Sequence, residues 1–406
     1  MDDHRPDDYT VAASSHVSAY ADKPYEPIGF KGISADSHIT EPPNCYVDYI
    51  DPSFRDVAPR VITGPTGGDF YQIDGIEKPV PLEAIASAGV DPRQMKFDQA
   101  KFVDIHKGGW EPHARLADQD RDGVDAEVIY PSVGMVMCNH PSPDYKKACF
   151  DAYNRWLAEF CSVAPDRLIG LGQTAVRSVK ETVADLKTMK ALGFKGVMLP
   201  ADPSSDVDYD DPSFDAVWET ACALEMPLSV HILTSGGRGR SSLDVATQSR
   251  GLSPAAKIAN GQHSIVRANQ DLIALFIWGR IFERFPKLKL VCVEADAGWA
   301  PHFMYRLDHF YHRHRFWAKI GDYKKLPSEY FADNVYLTFQ DDWVAFHSTN
   351  MMNPRRLMWA NDFPHGDSTW PWSQQLLSRH TAGLSEQEKR WIVRDNVIEL
   401  YKLNFS

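Results

Sequence analysis

Eight short apolar segments, most of them separated by stretches with helical periodicity, constrain this 406-residue chain more than any other feature. They are Lys31–His38, Ala126–Pro131, Arg167–Thr174, Lys195–Pro200, Pro227–His231, Lys287–Ala295, Asn334–Gln340 and Arg356–Asp362. Helical spacing of apolar residues marks Pro143–Ala164, Val179–Leu192, Asp211–Leu224, Gln270–Phe285, Trp299–Phe316 and Ser385–Tyr401. Ser142 and Ser178 are placed as N-caps, Pro143 suits the first helical position, and Gly193 suits the position after a helix end. Such alternation signals βα units and a parallel sheet. Eight units favour the α/β class and a (β/α)8 TIM-type barrel over an open doubly wound sheet, and no phosphate loop follows the first strand. Residues 1–28, polar, Asp-rich and broken by Pro, read as a tail or arm; residues 29–406 read as one barrel domain. Cys45–Glu111 after strand one and Leu233–Asn269 after strand five are too long for simple connections. In a barrel such insertions roof the active-site mouth.

Acidic residues outnumber basic ones, 55 to 43, for a net charge of −12. Nucleic-acid and anionic-membrane binders need a basic face, so neither partner is expected. No apolar run approaches the roughly 18 residues of a membrane helix, and the first residues lack the basic-then-apolar pattern of a signal peptide. The six cysteines form no CxxC pair, which fits reduced, buried thiols and a cytoplasmic protein acting on a small-molecule substrate.

Function in a barrel collects at the C-terminal ends of strands. Strand one ends Ala35-Asp36-Ser37-His38, strand five ends Val230-His231, strand six carries Glu294, and strand eight ends Asn361-Asp362. Side chains alternate along a strand, so Asp36 and His38 share a face. Taken singly, each is a satisfied core histidine or a turn aspartate more often than a ligand. Taken together, Asp36, His38, His231 and Asp362 make a donor set for one divalent ion, Zn²⁺ first, with Mn²⁺ or Fe²⁺ as alternatives and a second ion not excluded. Deep charges need partners, and a cation supplies them. His365 follows Asp362 by three residues and can reach the same mouth, though a solvated loop position fits it as well. Arg238 and Arg240 could bind a substrate carboxylate, against the competing reading of a solvated loop. Trp110, Trp370 and Trp372 could wall an apolar or aromatic pocket, against ordinary insertion core. Asp341 and Asp342 read as loop or cap residues.

These segments resemble the metal-dependent amidohydrolase superfamily, in the branch of the aminocarboxymuconate-semialdehyde decarboxylase-like proteins, from about Gly32 to Tyr401. The likeness is carried by Ala35-Asp36-Ser37-His38-Ile39-Thr40-Glu41-Pro42, Asp120-Arg121-Asp122-Gly123-Val124-Asp125, Tyr153-Asn154-Arg155-Trp156, Arg284-Phe285-Pro286-Lys287-Leu288 and Asn361-Asp362-Phe363-Pro364-His365. The resemblance implies a (β/α)8 barrel with a divalent metal, often assembled as a homodimer or higher homo-oligomer. It places the usual His-x-His on Asp36 and His38, the strand-five ligand on His231, and the strand-eight ligand and proton shuttle on Asp362. The strand-six position, often a His acting on substrate, holds Glu294 here. A carbamylated lysine has no counterpart, because Lys195 starts its strand at the wrong end of the barrel.

Two chemistries follow as expectations. The first is a hydrolase in which metal-activated water attacks an amide, lactone, ester or thioester carbonyl, with Asp362, Glu294 and His365 as catalytic groups. Glu294 in place of His tips the balance towards it. The alternative is non-oxidative decarboxylation of an aromatic or unsaturated acid, with Asp362 delivering a proton to carbon. A barrel kept only for binding or assembly would have no need of the strand-end donors.

Overall fold

The computed structural model describes residues 16–235 and 253–405. Among them are eleven strands in chain order: β1 (Gly32–Ile39), β2 (Arg60–Thr63), β3 (Asp69–Gln72), β4 (Val80–Pro81), β5 (Val124–Pro131), β6 (Leu168–Gln173), β7 (Gly196–Leu199), β8 (Leu228–His231), β9 (Leu290–Val293), β10 (Val335–Phe339) and β11 (Leu357–Trp359). Eight of these form one parallel sheet in the order β1-β5-β6-β7-β8-β9-β10-β11. The two edges meet just past β11. The Asp362 N–H donates to the Asp36 carbonyl at 3.0 Å, and the His38 N–H donates to the Phe363 carbonyl at 2.7 Å. Closure removes both sheet edges and yields the (β/α)8 barrel. Gly32 makes the seam sterically possible, since a Cβ there would lie 2.8 Å from the Trp359 ring.

The expected caps form. The Ser142 hydroxyl accepts from the Tyr145 N–H at the start of helix Pro143–Ser162, and Ser178 accepts from Glu181 N–H at the start of Val179–Ala191. Gly193 takes φ 91° just beyond the latter. The helix expected at Gln270 instead begins at Pro254 and runs to Trp278, because Ser253 caps it and Pro254 opens it. Its first turns occupy the second half of the expected roof segment. The Cys45–Glu111 insertion is not featureless either, for β2, β3 and β4 pair antiparallel within it. Ahead of the barrel, Val17 and Tyr20 are buried, with the Tyr20 hydroxyl 2.7 Å from His380 Nε2.

The core lies between the barrel strands and their helices. Val128, Ile169, Val197, Val230 and Val291 of the strands are all buried, as are Leu186, Met189 and Phe276 of the helices. Each such side chain contributes roughly 1.5–3 kcal/mol by leaving water. This rigid cylinder fixes where strand ends point.

Candidate metal centre

Asp36 and His38 stand two residues apart on β1, His231 ends β8, Glu294 follows β9, and Asp362 lies three residues beyond β11. Glu294 and Asp362 both adopt φ 55°, in the left-handed region. Non-glycine residues take that conformation rarely, and it clusters at functional sites.

The donors converge. His38 Nε2 lies 3.2 Å from Asp362 Oδ1, 3.5 Å from Asp36 Oδ1 and 3.7 Å from Glu294 Oε2. His231 Nε2 lies 3.2 Å from Glu294 Oε2 and 3.6 Å from Asp36 Oδ1. His365 Nδ1 sits 3.3 Å from Asp362 Oδ1, and its ring stacks on His38 with centroids 3.8 Å apart. Two overlapping groups, Asp36–His38–His231–Glu294 and His38–Glu294–Asp362–His365, each offer four donor atoms within 4.8 Å of one another.

Hydrogen bonding aims the imidazoles. His38 Nδ1 lies 2.9 Å from the Pro131 carbonyl, and His231 Nδ1 lies 3.2 Å from the Ile232 carbonyl. A carbonyl can only accept, so each Nδ1 carries the hydrogen and each neutral ring presents a bare Nε2 lone pair. Those two Nε2 atoms face each other at 3.2 Å. Around them, both oxygens of Asp36, both of Asp362 and Oε2 of Glu294 are buried without a hydrogen-bond partner. Lone pairs and carboxylates gathered this closely repel unless a cation stands among them, so the donor set fits a divalent ion.

The local field tells the same story. Burial pushes the Glu294 carboxyl well above its usual range, and the Asp362 charge adds to it. Burial would also raise Asp362, but His365 and His38 beside it hold it far below the ordinary carboxylate range. Burial opposes a charged His38, yet the carboxylates of Asp362 and Asp36 beside it raise it. His231 is lowered, chiefly by burial.

Three supporting residues escaped the sequence reading. Arg115, fully buried, pairs with Glu127 and donates to the carbonyls of His38 (2.7 Å), Gly108 (3.1 Å) and Phe363 (3.2 Å). It therefore clamps β1 to the segment after β11 directly behind the donors. The Ser132 hydroxyl lies 2.9 Å from His365 Nε2 and holds the far side of that ring. Glu41 accepts from the N–H groups of Ser132, Val133 and Gly134 at 3.1–3.2 Å, fixing the turn that carries Ser132. The Asp-x-His-x-x-Glu spacing of Asp36, His38 and Glu41 was the signal available for the last of these.

Other expected residues lie elsewhere. Trp370 is enclosed in a small cluster with Ala88 and Phe363, with Arg121 over its ring, so it is core and not a mouth wall. Trp110 is half-buried against Phe102. Trp372 packs edge-on to His16. Asp342 caps helix Trp343–His347 and accepts from the N–H groups of Ala297 and Gly298, as a cap residue should. Arg238 and Arg240 fall outside the described residues.

Comparison with known proteins adds the family. A family model described as amidohydrolase matches residues 102–403. A 2-amino-3-carboxymuconate-6-semialdehyde decarboxylase of Dictyostelium discoideum is 23% identical over 274 residues, covering 67% of this chain and 71% of that protein. The crystal structure of an amidohydrolase from Mycobacterium avium subsp. paratuberculosis K-10 superposes with TM-score 0.74 at 21% identity, over 92% of this chain and 99% of that one. The structure of 5-carboxyvanillate decarboxylase from Novosphingobium aromaticivorans, complexed with manganese and 4-hydroxy-3-methoxy-5-nitrobenzoic acid, superposes with TM-score 0.64 at 19% identity, over 93% of this chain and 97% of that one. The solved structures show the shared fold. The expectation of hydrolysis is corrected here: relatives with a named reaction are decarboxylases, so Glu294 at the strand-six position does not mark a hydrolase. One residue type at one position was too little to separate water attack on a carbonyl from proton delivery to carbon. The preference for zinc likewise finds no support, since the metal named with these relatives is manganese.

Proposed function

The chain belongs to the amidohydrolase family, and on that premise we propose that it is a metal-dependent, non-oxidative decarboxylase of a small aromatic or unsaturated carboxylic acid. The observation that carries the metal dependence is the meeting of two bare imidazole nitrogens with five unpartnered carboxylate oxygens at the barrel mouth, and the decarboxylases among the chain's relatives support the choice of reaction. Asp36, His38, His231 and Asp362 would hold the cation, with Glu294 completing the set. Manganese is favoured, because oxygens dominate the donors and a decarboxylase of the same fold holds that metal. When bound, the cation supplies a seat for the substrate carboxylate and a neighbouring oxygen, and it offsets charge that develops there.

The remaining steps belong to side chains. In decarboxylation the carbon–carbon bond to the carboxylate breaks, its electron pair stays on the substrate carbon, and CO2 leaves. That carbon then takes one proton. His365, whose Nδ1 is 3.3 Å from Asp362 Oδ1, passes a proton to Asp362, which hands it on to that carbon. Ser132 keeps the His365 ring in line by its far nitrogen. Arg115 keeps the two strand ends in register, so the carboxylates of Asp36 and Asp362 stay on one centre.

The test is to incubate manganese-loaded protein with a panel of hydroxylated benzoic acids and unsaturated dicarboxylic acids in D2O. Release of CO2 with one deuterium at the vacated carbon is expected. Product that instead carries oxygen from labelled water, with no CO2, would overturn the reading.

A further inference from the structure

At the far end of the barrel, where the strands begin, lies a cavity that the mouth chemistry does not use. It measures about 310 Å³ and opens beneath the starts of β8, β9 and β10. That size lies within the range of small-molecule sites. Pro227 precedes β8, Leu288 and Lys289 precede β9, and Tyr336 lies in β10. Helix Asp215–Leu224 adds Cys222 to the wall, and helix Asn396–Tyr401 adds Leu400.

The lining has two characters. Met226, Leu288 and Leu400 are buried and apolar. The Tyr336 ring joins them at 4% exposure, yet among the described residues its hydroxyl makes no hydrogen bond. A hydroxyl so enclosed ordinarily finds a partner. At the rim the charges do not cancel. Glu225 pairs with Lys402, and Glu399 pairs with Arg355, so both carboxylates are taken. Glu225 and Lys402 each end a helix at φ 52°, a conformation more often left to glycine, and their pairing braces that rim. Lys287 has no ion-pair partner among the described residues, and Lys289 Nζ donates to the Asp333 carbonyl at 2.7 Å without meeting a carboxylate. Two ammonium groups are left over, in a chain whose net charge is −12. Both lie near the Cys222 thiol, which burial raises and the two lysine charges oppose.

We propose that this cavity binds a small aryl carboxylate, with its ring against Tyr336 and Met226 and its carboxylate between Lys287 and Lys289. Aromatic rings and thioethers both favour contact with a flat ring. Arg356 already covers one face of Tyr336 at 4.8 Å. A bare anion would leave the apolar lining wet, and a neutral hydrocarbon would leave two like charges unanswered in a cleft that focuses their field. Only a ligand with both parts satisfies the lining. The site is separate from the metal centre, since His231 and Glu294 stand at the opposite ends of β8 and β9, and it rests on no assumption about the reaction.

Equilibrium dialysis of the full chain against 2-naphthoate tests it. The double variant Lys287→Met/Lys289→Met should bind one equivalent fewer than wild type while keeping the wild-type far-ultraviolet circular dichroism. Lys287 is exposed, so Lys287→Met alone leaves the fold intact and should raise the dissociation constant of this equivalent about threefold. Alkylation of Cys222 by iodoacetamide, read by mass spectrometry, places the lost equivalent, because the other five cysteines are buried. At ten times its dissociation constant 2-naphthoate should slow that alkylation about tenfold in wild type and not in the double variant. At the same concentration 2-naphthol, which lacks the anion, and inorganic phosphate, which lacks the ring, should leave the rate unchanged. Equal binding by wild type and the folded double variant would overturn the assignment, as would protection by 2-naphthol or phosphate as strong as that by 2-naphthoate.

Discussion

Behind the barrel seam, Arg115 sets its guanidinium against Glu127 and three backbone carbonyls; in front of it, Asp36, Glu294 and Asp362 leave five buried oxygens facing one another. The two clusters share strands and depth. Asn361 even joins them, donating to Glu127 at 3.0 Å while its own side-chain oxygen accepts from Ser37, next to Asp36. Only the first is balanced by its own groups. A buried ion pair with its hydrogen bonds satisfied holds structure in place, whereas a buried set of acceptors without donors is stable only with something positive among them. The difference separates what positions the site from what the site is for.

Opposite responses to substitution would sharpen that contrast. The largest effect is expected for Asp362→Asn, which should lower CO2 release by about 10³-fold or more with the fold kept, because proton transfer by a positioned group alone accounts for roughly 10²–10⁴-fold. Retained turnover in that variant would break the proposed mechanism. Arg115→Met strips a partner from buried Glu127 and should lower unfolding free energy by about 3–5 kcal/mol, read from urea melts. His231→Ala should lower manganese affinity by at least about tenfold, or 1.4 kcal/mol, measured by elemental analysis after dialysis. In chelator-treated protein, Asp36→Asn should raise the melting temperature, since it relieves an unpartnered carboxylate worth about 1–3 kcal/mol; with manganese the sign should reverse. An unchanged melt in both states would mean the front cluster is balanced after all.

A further effect, seen only as pH changes, concerns Asp122, which lies in the rear cluster and accepts from Ser373 and Asn361. Burial pushes its carboxyl from the ordinary 3.8 up to about 7, against those hydrogen bonds. The folded state therefore holds more protons than the unfolded chain between these values. Its contribution to stability is fully present below the unfolded value and is lost as pH rises through about 7. Asp122→Asn should flatten the dependence of the urea midpoint on pH between 4 and 7.

Much of this was readable without coordinates because strand periodicity carries it. Asp36 and His38 at spacing two must share a face, and the positions of His231 and Asp362 at the ends of apolar runs put them at the same mouth. What was not readable depends on neighbours far away in the chain. Arg115 looks like any polar helix residue until the helix lands against the seam, and Trp370 looks like any loop aromatic until Ala88 and Phe363 close around it. The strands Arg60–Thr63 and Asp69–Gln72 are four residues each and mostly half-exposed, so they carry no apolar alternation to detect. The helix from Pro254 was hidden because Asn260-Gly261-Gln262-His263-Ser264 interrupts its apolar spacing. Hydrolysis and decarboxylation share the same donors, so residue types at strand ends could not choose between them.

The seam has a consequence for how the molecule comes into being. Ser37 and Asn361, bonded at 2.8 Å, are 324 positions apart, and the donors on either side of them are as widely separated. On the ribosome the early ligands emerge long before the late ones exist. Ion capture therefore waits for the last strand to dock, and a chain interrupted before Asp362 has a binding half with nothing to close it, which makes loaded metal a reporter of finished synthesis.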